Sequence, residues 1–128
     1  MTADATIQSW LTGALDAWDT LDKLLASQKY AHALFFLHLS LEKLLKALII
    51  QKRGEPPPPI HDLVRLAQAG GVTPDDQMIA HLAEISTFNV AARYDDEKLQ
   101  FYKKATAEYA ARWQTIGHAL FEKFQHML

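Results

Sequence analysis

The chain has 128 residues, 49% of them hydrophobic and 22% charged, a balance that sets the expectation of one globular domain with a single core and excludes a disordered tail. Thirteen basic against fifteen acidic residues leave a formal net charge of −2, so no global basic field attracts nucleic acid, though a local basic patch is compatible with it. There is no cysteine, which excludes disulfides and thiolate zinc sites, and no apolar run approaches the ~20 residues that a membrane span needs. The opening "MTADATIQSW" lacks the basic-then-apolar pattern of a signal peptide, and together with the missing cysteines this sets the expectation of a cytoplasmic protein.

Helical periodicity dominates from the start. Ile7, Trp10, Leu11, Ala14, Leu15, Trp18, Leu21 and Leu25 recur at three- and four-residue steps and predict a helix over about residues 5 to 26. After the break "SQK", a second helix is expected from Tyr30 to Lys52. It is apolar on most sides, through Leu34, Phe35, Leu37, Leu41, Leu44, Leu45, Leu48 and Ile49. Such a helix is either central in a bundle or shares its extra face with a partner subunit. "RGEPPPP" must end it, because Gly54 suits a left-handed cap and the prolines cannot donate the next hydrogen bonds. Four prolines in a row make a stiff, extended connector.

"IHDLVRLAQAGG" then reads as a short helix closed by Gly70 and Gly71. "VTPDD" opens another, with Thr73 as cap, Pro74 at the first helical position, and Asp75 and Asp76 at the positive end of the dipole. That helix carries Met78, Ile79, Leu82, Ile85 and Phe88. With Asp95 or Asp96 as cap, one last helix is expected to run to about His126. Its inward face would be Leu99, Tyr102, Ala105, Tyr109, Trp113, Ile116, Leu120 and Phe124. Nothing alternates with period two. The expected architecture is all-α: one domain over residues 1–128, an antiparallel up-and-down bundle of four longer helices and one short one.

The chemistry-bearing residues are few. A di-metal bundle needs Glu-x-x-His pairs, and the nearest pairs are His81 to Glu84, in reversed order, and His38 to Glu42 at four-residue spacing, so no metal or other cofactor is expected. The glycines form neither a nucleophile elbow nor a phosphate-cradling loop. On the second helix His38, Glu42 and Lys46 line up at four-residue steps with Lys43 beside them, either as a solvated stripe or as a polar groove on an otherwise apolar helix. His61 and Asp62 sit at the start of the short helix, where capping explains both. In "FNVAARYDDEK", Asp95 and its acidic neighbours suit a helix start. Asn89, Arg93 and Tyr94 are residue types that contact phosphates and stack on bases, and that also staple helices together.

Taken in order, "YAHALFFLHLSLEKLLKALIIQKRGEPPPPIHDLVRLA", then "FNVAARYDDEK", then a long alanine-rich last helix resemble the HEPN domain (higher eukaryotes and prokaryotes, nucleotide-binding) over about residues 6 to 125. The resemblance rests on the order and spacing of these stretches rather than on any one of them. It implies an all-α bundle, commonly a homodimer, often paired with a small nucleotidyltransferase in which the helical protein binds nucleotide. Many such pairs act as toxin–antitoxin systems, and nucleotide transfer by the partner onto Tyr94 or Tyr102 would fit that arrangement.

Other members of the family are metal-independent RNA endonucleases marked by Arg, four to six residues, then His. From Arg93 the permitted histidine positions hold Lys98, Leu99 and Gln100, so the motif fails at the expected corner. Arg112 and His118 have the spacing, but inside the last helix, where a six-residue step leaves them about 120° apart unless Gly117 bends it or a second subunit completes the site. Two readings follow. The first is a non-catalytic, homodimeric module that binds a nucleotide through His38, Glu42, Lys46, Asn89, Arg93 and Tyr94 beside a nucleotidyltransferase. The second is a ribonuclease toxin acting on RNA through Arg112 and His118.

Overall fold

A computed structural model describes residues 2–90 and 94–128. Every regular element among them is a helix: α1 (Ala3–Ala26), α2 (Tyr30–Arg53), α3 (Leu63–Ala69), α4 (Asp76–Ser86), α5 (Asp95–Lys104) and α6 (Ala107–His126). The all-α bundle read from periodicity is the observed architecture. Among the described residues, no helix is long and apolar enough to cross a membrane.

The helix α2 is the central member. Its side chains from Leu34 to Ile49 are buried on nearly every turn, and it meets each of the other five helices. The helix α1 lies antiparallel along it, reached by a tight turn in which Gln28 takes a left-handed φ of 60°. The helix α6 packs on another side of α2, and there Gly117 is a close-approach residue. A Cβ at this position would stand 2.3 Å from Leu37 Cδ1, so only a glycine lets the two helices meet at this depth. The helix passes through Gly117 as one continuous segment.

Two boundaries depart from the sequence reading, both through capping. Asp75, not Thr73, caps α4, its carboxylate accepting the Met78 N–H at 2.8 Å and leaving Pro74 just outside. More consequentially, the expected last helix is two helices. Thr106 caps α6 by accepting the Tyr109 N–H at 3.2 Å, after Ala105 leaves helical geometry at φ −80°, ψ 68°. The break resets the helical phase. Phe101 is buried in α5, whereas Leu99 and Tyr102 are 56% and 49% exposed. Past the break the expected inward face returns in Trp113, Leu120 and Phe124.

Candidate functional site

The polar residues of α2 come together as expected but are closed off from solvent. His38, Glu42 and Lys46 are only 1%, 5% and 6% exposed. The Glu42 carboxylate accepts from Lys46 Nζ at 3.1 Å through one oxygen and from His61 Nδ1 at 2.8 Å through the other. His38 Nε2–H donates to the His61 carbonyl at 3.0 Å, which leaves His38 Nδ1 buried and unpartnered. From α1, the Trp10 ring lies 5.7 Å from the Lys46 ammonium. Each charge is thus used internally, and the arrangement is a clamp that grips His61 by ring and backbone rather than a groove open to a ligand.

Burial pushes the His38 imidazole below its ordinary range, against the opposing pull of the His61 carbonyl and Glu42. An unfolded histidine takes up a proton at about pH 6.5, and the folded one resists it, so the stability this residue supplies is lost as pH falls below that value. Among the described residues no group of three histidine or acidic side chains is disposed to hold a metal ion. Around Glu42 the Lys46 ammonium and the His61 imidazole already occupy the two carboxylate oxygens.

At the corner after α4, Phe88 is fully buried. Its ring centroid lies 5.6 Å from Phe101 and 5.9 Å from both Tyr109 and Trp113. Asn89 is half-buried, and Tyr94 is 81% exposed immediately before α5. Arg93 lies outside the described residues. Beside Phe88 is a polar staple that periodicity did not reveal: Glu84 accepts from the Tyr109 hydroxyl and from Lys104 Nζ at 2.8 Å, joining α4, α5 and α6.

Burial alone would raise the Glu84 carboxyl, but the hydrogen bonds from Lys104 and Tyr109 outweigh it and hold it below the usual carboxylate range. The Tyr109 phenol is pushed up by burial and by the same carboxylate, so it stays protonated. Because the folded Glu84 pKa is depressed, its stabilisation is present at neutral pH and lost as pH falls below about 4. Glu84→Gln should therefore lower the urea midpoint at pH 7 and converge on the wild type at pH 3. A constant difference between the two proteins at both pH values would contradict this.

An apolar pocket of about 230 Å³ opens between α2 and α5. It is lined by Ala31, which is buried, by the half-buried Phe35, Phe36, Val90 and Lys98, and by His32 and Tyr102, which are exposed at its rim. The Tyr102 hydroxyl and His32 Nε2 are 3.1 Å apart and their rings meet edge to face. Of these residues the sequence marks Tyr102 and Phe35 only as members of apolar helix faces, not as a shared site. The one advance signal for the rest was the excess apolar surface of α2 around Phe35.

Arg112 and His118 do not come together. The Arg112 guanidinium lies 5.6 Å from the Trp113 ring and its charge acts on Glu84 and Tyr109, on the α4 side of α6. His118 packs against Trp18 of α1 at 5.6 Å and lies 3.5 Å from Glu122. With α6 continuous through Gly117, the two side chains serve different neighbours.

Compared with known protein families, residues 7–122 match the family described as the HEPN domain. No curated protein and no solved structure matches the chain.

Proposed function

This chain belongs to the HEPN domain family, and on that premise we propose that it is a nucleotide-binding partner module, serving a small nucleotidyltransferase in a toxin–antitoxin type pair and not cutting RNA itself. The observation that carries the reading is the α2–α5 pocket, whose aromatic and aliphatic lining also includes the cationic side chain of Lys98. Its volume is below the roughly 300–1,000 Å³ of sites that engulf a whole small molecule, which suits one planar ring with the rest of the ligand outside. A base would stack among Phe35, Phe36 and Tyr102, and a phosphate would reach towards Lys98, with Arg93, five residues earlier in the sequence, as the second cation the reading assigns to it. Asp95, Asp96 and Glu97 occupy the first turn of α5 and repel a polyphosphate, so a monophosphate fits this rim better than a triphosphate.

The buried His38, Glu42 and Lys46 have no part in this site; Asn89 and Tyr94 flank it in sequence. The exposed Leu99 and Tyr102 beside the pocket supply apolar surface for a homodimer or for the transferase. Titration calorimetry with AMP is the test. Weak binding is expected in the wild type, reduced at least ten-fold by Lys98→Glu and by Arg93→Ala with the fold intact. Equal affinity in both variants would sink the site. Co-purification with a nucleotidyltransferase encoded in the adjacent reading frame tests the partner role separately.

A further inference from the structure

The connector from Gly54 to His61 takes no part in the nucleotide site, yet both of its ends are fixed. Gly54, at φ 68°, closes α2 by donating its N–H to the Ile50 carbonyl at 2.8 Å. At the other end the Ile60 N–H turns back onto the Pro58 carbonyl at 2.8 Å, and His61 is gripped by His38 and Glu42. Between these anchors stand four prolines, whose rings fix φ near −65° and favour the left-handed polyproline helix. That helix has three residues per turn, so Pro56 and Pro59 share one edge. Both are exposed, whereas Pro57 and Pro58 are half-buried against the protein. Arg53 stands three residues before Pro56, exposed at the end of α2 beside Lys52.

We propose that this strap is a docking ligand for a partner protein with an aromatic-lined groove of the polyproline-reading kind and an acidic rim. The rings of Pro56 and Pro59 would fill two slots between aromatic side chains, and the rim would face Arg53. Two features argue for recognition rather than simple linkage. The exposed edge repeats with the period that such grooves read. The strap is also ordered before binding, so little conformational entropy is lost when it docks. The buried clamp on α2 thereby has a use: it presents the strap.

The probe is an isolated SH3 domain that selects a basic residue three positions before the first of two prolines spaced three apart, titrated into the full-length, isotope-labelled chain and followed by NMR. Resonance shifts confined to residues 52–61 are expected. Pro56→Ala/Pro59→Ala should weaken binding at least ten-fold, and Arg53→Glu several-fold, with unchanged thermal unfolding midpoints showing that both variants fold. His61→Ala keeps every proline but frees one end of the strap, and should weaken binding several-fold. Absence of shifts at saturating probe, shifts centred on the α2–α5 pocket instead, or a double proline variant that binds as well as the wild type would each overturn the proposal.

Discussion

Replacing Glu42 with alanine should destabilise the fold by about 3–5 kcal/mol, because it leaves a buried cation without its counter-charge. Lys46 is 6% exposed and its ammonium has the Glu42 carboxylate as its hydrogen-bond partner, with Trp10 contributing only its ring face. The same substitution releases the His61 ring. The exposed Asp19–Lys23 pair on α1 has the same four-residue spacing and a shorter contact, 2.8 Å, yet its loss should scarcely register, because both side chains are solvated. Urea denaturation of the two variants measures the contrast directly. The double variant Glu42→Leu/Lys46→Met should recover most of the loss, since paired apolar groups of similar volume replace a buried ion pair at little cost. If Glu42→Ala proves no worse than the exposed pair, the cluster is hydrated and the clamp does not exist.

This contrast marks what the sequence could and could not convey. The alignment of His38, Glu42 and Lys46 follows from helical periodicity alone, as does the unusual apolarity of α2 around them. Whether such a stripe is an open groove or a closed clamp depends on what covers it. The cover is His61, brought back across a proline connector by tertiary packing that no local pattern encodes. The break in the expected last helix was better signalled, since Thr106 is a strong capping residue with Glu108 in the following turn. No glycine or proline stands there to draw the eye, and an amphipathic pattern that shifts phase at the break still looks nearly continuous. Leu99 and Tyr102 therefore fall on the inward face the periodicity predicts yet are about half exposed, and the pocket beside them exists only in three dimensions. Glu84, Lys104 and Tyr109 were equally hidden, for they come from three different helices.

Phe88→Ala is expected to cost about 3–5 kcal/mol, the range for emptying a fully buried aromatic site. Phe88 lies just past the end of α4, where the last turn tightens and the Phe88 N–H donates to the Ile85 carbonyl at 2.9 Å. Its ring is the common neighbour of Phe101 in α5 and of Tyr109 and Trp113 in α6, so it fixes how the corner meets both helices. Removing it leaves a void beside Glu84, whose hydrogen bonds to Lys104 and Tyr109 then carry the junction alone. Val90, two residues on, lines the pocket with Lys98 and Tyr102, so displacement of the corner should also weaken AMP binding. Phe88→Leu separates the two effects, because it keeps most of the apolar volume and should cost less than about 1.5 kcal/mol. If packing of the corner positions the site, affinity should fall in the alanine variant even at temperatures where it is fully folded, and stay near wild type in the leucine variant. A folded Phe88→Ala protein with unchanged affinity would mean that the pocket does not depend on the corner, and would remove the link between "FNVAARYDDEK" and ligand binding.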